Sequence, residues 1–344
     1  MSDPNTGIHP LPSGNGKPPG TTAWDGSITR AGSEMRSYYG RPVIKEPTWT
    51  WEIPCYLFTG GLGGASAVLS SVARLAGNEK LARTALYLGA ASDVVSAPLL
   101  VSDLGRPERF LNMLRVFKIT SPMSVGSWIL FVSGGASSTA AVLEALDWLK
   151  PVKIAAEAVS TLFGPPLATY TGALVANTAV PVWNEARQEL PYLFGASACA
   201  SAGAAAALLL PPEEAGPARR LAIGSAVAEA AVFETMEKRL GKLLGEPYKQ
   251  GTCGKLTRAS KACVTAGAGL LAWRGKRSRA AAVGGSALLL AGEMLLRWSV
   301  YKAGFQSARD SRYTVIPQRE RARRHGTHAT TKPRDRPAPP GRGA

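Results

Sequence analysis

From Trp49 to Val300 the chain alternates apolar stretches, nearly free of charge, with short charged connectors. Each stretch is close to the roughly 20 residues that an α-helix needs to cross a bilayer. In hydrocarbon every backbone N–H and C=O has to be satisfied within the segment, which leaves helices as the solution for stretches of this composition. Eight spans are expected, at about Ile53–Ala76, Leu81–Ser102, Met123–Leu146, Val152–Ala176, Tyr192–Leu210, Ala218–Met236, Leu256–Trp273 and Ala280–Val300. The seventh carries Arg258 and Lys261 in its first turns, where long side chains can snorkel to the interface. The fold class read from this pattern is an all-α integral membrane protein with eight transmembrane helices.

Composition supports the partition. Of 344 residues, 45% are hydrophobic and only 19% charged, low for a soluble protein of this size. The formal net charge is +16, from 40 Lys and Arg against 24 Asp and Glu. These basic residues gather at the ends of apolar stretches and in the tails, a placement that fits anionic lipid headgroups rather than nucleic acid. Cys55, Cys199, Cys253 and Cys263 lack the clustered spacing of an iron–sulfur or zinc site and read as small apolar fillers. His9, His325 and His328 all lie in the polar tails, so no intramembrane haem ligand is at hand.

Residues 1–48 are rich in Pro, Gly, Ser and Thr, have no apolar core of a cleavable signal, and read as a disordered or partner-bound tail. Trp24, Tyr38 and Tyr39 are its candidate anchors, and Trp49 and Trp51 the start of an interfacial aromatic belt. The membrane domain spans 49–316, followed by a basic, Pro-rich and disordered tail over 317–344. An even number of spans puts both termini on one side. Lys and Arg near the span ends are more numerous there, which predicts a cytoplasmic location for the termini, although Arg274, Lys276, Arg277 and Arg279 cluster on the opposite side.

Ionisable residues inside apolar spans are costly and are functional candidates by default. Asp93 lies midway along the second span, with no basic residue within a turn of it in its own helix. Glu157 is in the fourth span, Glu229 in the sixth, and Glu293 and Arg297 in the eighth. The last two are four apart and so share a helix face on which they can pair. Gly60, Gly61, Gly63 and Gly64 in the first span permit close approach of another helix. Pro165 and Pro166 at mid-depth of the fourth predict a kink.

The loop Ser102–Trp128 carries more specific chemistry than a connector needs. Asp103 closes the second span, Gly105 permits a turn, and Pro107 stops the helix, holding Arg106 within reach of Asp103. Ser121 is the expected N-cap of the third span, with Pro122 in its first turn and free N–H groups at the same interface.

Several of these stretches together resemble the NrfD/polysulfide-reductase membrane subunit family. They are Trp51-x-Ile-Pro-x-Tyr-Leu-Phe-x-Gly-Gly-Leu-Gly-Gly64, Asp103-Leu-Gly-Arg-Pro-Glu-Arg-Phe110 and Ser121-Pro-Met-Ser-Val-Gly-Ser-Trp128. Tyr170-Thr-Gly-Ala-Leu174, Val180-Pro-Val-Trp-Asn184, and Arg297 followed by Ala303-Gly304 and Ser307-Ala308-x-Asp310 complete the set. The resemblance implies two four-helix bundles with no haem or metal. It implies a quinone or quinol (menaquinone or ubiquinone) near the face where a ferredoxin-like iron–sulfur subunit docks, with a molybdopterin catalytic subunit beyond. Asp103 and Arg106 match the family's loop motif, and Tyr170 a position of quinone contact. Family members often place a histidine near the start of the first helix; here Glu52, Cys55 and Tyr56 stand instead, with Glu52 or Tyr56 as the substitute proton acceptor or donor.

The reading is thus a quinone-reactive subunit of a multisubunit oxidoreductase in the plasma (inner) membrane, without activity alone. Asp103 and Arg106 are its catalytic candidates, and Glu52, Tyr56, Asp103, Arg106 and Tyr170 its quinone ligands. Asp93, Glu229, Glu293 and Arg297 are expected to relay protons. Two rivals are an anchor or proton-translocating module without a quinone site, and a secondary transporter using a discontinuous helix at Pro165–Pro166.

Overall fold

The computed structural model describes residues 42–104 and 106–324. Gly105, the three histidines, the N-terminal residues Trp24, Tyr38 and Tyr39, and most of both expected tails lie outside the described residues. The described residues are helical throughout their ordered elements: α1 (Glu52–Leu75), α2 (Glu79–Ser102), α3 (Leu111–Arg115), α4 (Pro122–Leu146), α5 (Lys150–Ala176), α6 (Pro181–Glu185), α7 (Leu190–Leu209), α8 (Gly216–Leu244), α9 (Gly251–Trp273), α10 (Arg279–Arg309) and α11 (Arg312–Arg324). The expected apolar stretches correspond in order to α1, α2, α4, α5, α7, α8, α9 and α10. Five of these, α1, α2, α4, α7 and α10, are long and apolar enough to cross a membrane. α5, α8 and α9 have the length but are less apolar.

Local chemistry sets the helix ends. Asn78, Ser121 and Ser278 cap α2, α4 and α10, their side-chain oxygens accepting the N–H of Leu81 (3.1 Å), Ser124 (3.4 Å) and Ala281 (3.3 Å). Proline stands in the first turn of α4, α5, α6, α7 and α8, where a missing N–H costs nothing. α5 runs unbroken through Pro165 and Pro166. A non-helical residue interrupts α8 at Gly241, with φ 66°. α11 carries helix on to Arg324, into the stretch read from sequence as tail.

Packing falls into two rings of neighbours. α1 lies against α2 and α5, and α4 against α2 and α5; α7 and α10 each lie against one another, with α8 on α7, α9 on α10 and a thinner contact between α8 and α9. The rings meet where α1 and α5 touch α7, and α1 touches α10. Small residues make these approaches possible. A Cβ on Gly64 would sit 2.4 Å from the Gly164 carbonyl oxygen, and one on Gly203 2.6 Å from that of Ala218. Trp49 and Trp51 part company: Trp51 is exposed, whereas Trp49 stacks on the fully buried Trp183 with ring centres 5.5 Å apart. Trp183 in turn donates its indole N–H to the Val300 carbonyl (2.7 Å), seating α6 on α10.

Candidate functional site

A cavity of about 320 Å³ opens between α2 and α4, roofed by Phe110, Met113 and Leu114 around α3. Its walls are almost wholly apolar, and it ends on Asp93, which is 2% exposed. Ser137 of α4 donates to Asp93 Oδ2 (2.7 Å), while Oδ1 is buried without a partner. Gly63 leaves the space this carboxyl occupies, since a Cβ there would lie 2.1 Å from Oδ1. A buried carboxyl satisfied on one oxygen has capacity for one more hydrogen bond or a proton.

Tyr56 lies beside Tyr170 and near Asp93, and neither tyrosine is among the residues that line the cavity. The Tyr56 hydroxyl is fully buried and lies next to that of Tyr170 without completing a hydrogen bond. Gly126, within the Ser121–Trp128 motif, makes room for Tyr170: a Cβ there would fall 1.7 Å from the ring carbon that bears the hydroxyl. Two of the expected quinone ligands are therefore brought together, and Tyr56 lies near Asp93, which the sequence reading had assigned to a separate proton path.

The other expected ligands lie at the start of α1. Asp103 Oδ1 accepts both the backbone N–H and the hydroxyl of Thr50 (2.9 Å each), tying the end of α2 to the segment before α1. The Thr50 hydroxyl also contacts Glu52. Tyr301 of α10 donates to the Trp49 carbonyl (2.5 Å) with the carboxylates of Asp103 and Glu52 nearby. The expected hold of Asp103 on Arg106 is not made. Arg106 is exposed, and its guanidinium, among the described residues, makes neither a hydrogen bond nor an ion pair. The nearer partner won, because the N–H groups before a helix start have no partner of their own and a carboxylate satisfies them well.

The second ring holds the remaining candidates. Glu293 and Arg297 do not form the expected ion pair. Arg297 instead donates to the carbonyls of Leu57 (3.3 Å) and Phe194 (3.1 Å), and its guanidinium lies 3.9 Å over the Phe194 ring. It thereby ties α10 to α1 and α7, beside Gly61. Glu293 accepts from Ser197 and faces Glu229 across the α8–α10 interface. One oxygen of each carboxyl and the Arg297 Nη1 are buried without partners. Glu157 belongs elsewhere, in an ion-pair network with Arg74 (2.8 Å), which also contacts Glu79 and Glu144 at the far end of α1.

Sequence reasoning passed over Thr50, Ser137, Ser197 and Tyr301, and the space-making roles of Gly63 and Gly126. The glycine-rich motif of α1 was visible, but its service to a carboxyl of α2 is a property of packing. Among the described residues no three His, Cys, Asp or Glu side chains converge as metal ligands do.

Long apolar helices enclosing a cavity that ends on a buried carboxyl define a multi-pass membrane protein with an internal polar site. The chain belongs to the NrfD family: residues 43–213 match the family model described as Polysulphide reductase, NrfD. That family comprises membrane subunits of quinone-linked oxidoreductases. No curated protein matches the chain.

Proposed function

We propose that this chain is the quinone-reactive subunit of a multisubunit oxidoreductase, with the quinone headgroup held at Asp93, Tyr56 and Tyr170. The observation that carries the reading is the apolar cavity between α2 and α4 that Asp93 lines, a buried carboxyl in an otherwise apolar wall. The residues fit such a group: apolar walls suit an isoprenoid-type tail, and Asp93 in the wall, with Tyr56 and Tyr170 buried nearby, suits a headgroup. When bound, a quinone or quinol carries two electrons and two protons between the membrane and a redox partner. Asp93 Oδ1 accepts a hydrogen bond or holds a proton, Ser137 fixes the carboxyl, and the two tyrosine hydroxyls orient the headgroup. The apolar walls exclude water.

Glu52, Asp103 and Tyr301 form a polar rung nearer the surface, where Arg106 is free to meet an iron–sulfur partner, with a molybdopterin subunit beyond. Glu229, Glu293 and Arg297 serve as a proton relay in the second ring. The whole is read as eight membrane helices in two four-helix bundles, lying in the inner membrane with both termini cytoplasmic; the pairings of the long helices favour this arrangement. Nothing favours the transporter rival, whose discontinuous helix is absent from α5.

The deciding experiment uses the assembled complex. Asp93→Asn is expected to lower quinone-linked turnover by about 100-fold while the complex still assembles. Undiminished turnover overturns the site. Asp103→Asn is the companion variant: loss of turnover assigns proton handling to the surface rung, and retention leaves Asp103 as a tie for Thr50.

A further inference from the structure

We infer that the second ring has its own proton port, a cavity opening between α8 and α9, with charged and hydroxyl side chains in its wall, in which Glu229 is the group that meets water. The inference rests on the proton relay proposed above and names the opening that relay requires.

The cavity holds about 290 Å³, many times the roughly 30 Å³ share of one water. It lies where α8 and α9 make their thinner contact, α8 being packed chiefly on α7 and α9 on α10. Glu229 lines it and is only 5% exposed, with Oε2 lacking any partner. A buried carboxyl left half-satisfied in an otherwise well-packed helix bundle is costly, and apolar packing would be cheaper. The wall hydroxyls do not supply the missing bond: Ser260 donates to the Gly292 carbonyl (2.8 Å), and Thr257 is engaged with Ser299 (2.7 Å). Oε2 is closed off from water and has Glu293 as its near neighbour, so the port uses the side of the carboxyl that borders the cavity.

The mouth carries charge. Lys261 is held by Glu237 (2.9 Å) with its ammonium 4.4 Å over the Phe233 ring, and Glu234 pairs with Lys238 (2.7 Å). On the inner side Glu229 faces Glu293, and Arg297 stands behind both. A fixed guanidinium there opposes the passage of metal cations while leaving carboxyl-to-carboxyl proton transfer open. Each passage moves one proton and no electron. An O–H bond of hydronium breaks as one forms on the Glu229 carboxyl, water is left behind, and the carboxyl proton passes to Glu293. The reverse sequence releases a proton.

The test uses the whole complex in liposomes, with a pH-indicating dye for proton transfer and a separate assay of quinone-linked electron flow. Thr265→Cys, at the cavity rim, is expected to react with a charged, membrane-impermeant thiol reagent faster than the wild type, a readout that needs no turnover. Glu229→Gln, and labelled Thr265→Cys, are each expected to slow proton transfer by about 100-fold. Absence of added labelling overturns the port. If Glu293→Gln slows proton transfer but Glu229→Gln and labelled Thr265→Cys do not, the relay stands and the port is overturned. If none of the three slows it, relay and port fall together. Loss of the quinone reading alone, seen as wild-type electron flow independent of quinone, leaves the labelling result to decide the port.

Discussion

Asp93 and Tyr170 depend on atoms that their neighbours lack. Gly63 and Gly126 contribute by having no side chain, and the positions of the Asp93 carboxyl and the Tyr170 ring turn on that absence. Gly126→Ala is expected to push Tyr170 out of its place and lower stability by about 1–3 kcal/mol, the usual cost of overpacking. Thermal unfolding in detergent measures the stability, and quinone-linked turnover reports the displaced hydroxyl. A stability equal to wild type, with turnover retained, would show that Tyr170 has room to move. Arg297 is the other residue-scale anchor. Arg297→Gln removes guanidinium donors from the Leu57 and Phe194 carbonyls, at about 1.5–3 kcal/mol for each charged hydrogen bond lost. The loss is checked in the same unfolding assay, together with disulfide trapping across the α1–α10 contact.

At the scale of the element, the crossing of α1 and α5 is fixed by two glycines facing each other through their carbonyls. Gly64→Ala places a methyl against backbone on both helices, where no side chain can rotate away, and is expected to lower stability by about 1–3 kcal/mol. Ahead of α5, Leu149 has φ 45° and ψ 52°, a left-handed conformation that branched apolar residues resist. Leu149→Asn is expected to raise stability by about 1 kcal/mol, because a short polar side chain tolerates this region. At the start of α11, the Arg312 guanidinium beside Asp310 holds the Asp310 carboxyl below the usual carboxylate range. A carboxyl lowered in the folded state contributes stability above its ordinary titration range and loses it as pH falls through the lowered one. Docking of α11 should therefore loosen only in strong acid, and amide exchange over 312–324 as a function of pH measures it.

Over the whole molecule, the candidate groups segregate into two buried centres and a surface rung. Asp93, Tyr56 and Tyr170 occupy the first ring, Glu229 and Glu293 the second, and Arg297 bridges the rings through α1. This arrangement places the proposed quinone chemistry and the proposed proton relay in separate bodies of helices. A double-mutant cycle pairing Asp93→Asn with Glu293→Gln tests whether they are coupled. Additive effects on turnover mean independent centres, and a coupling of more than about 0.5 kcal/mol means that the Arg297 contact carries free energy between them.

The order of the long helices was legible in the amino-acid sequence because hydrocarbon admits so few structures: an apolar stretch of sufficient length has little choice but to be a helix. The cap and first-turn proline at Ser121–Pro122 were readable for a similar reason, since helix ends need partners within a few residues. Partner choice was not. Glu293 and Arg297 are four apart on one helix, yet Arg297 turned to carbonyls of α1 and α7, and Asp103 turned from Arg106 to Thr50. These outcomes depend on which unsatisfied backbone group arrives nearby when distant helices pack. The same holds for Asp93, whose cavity exists only because α4 lies across α2 and glycines of α1 and α4 leave it room. The sequence by itself determined that the chain is a set of membrane helices bearing a few costly charges. Only the tertiary structure decided which of those charges share a cavity, because low-dielectric packing joins groups by proximity in space, and spacing along the chain does not encode it.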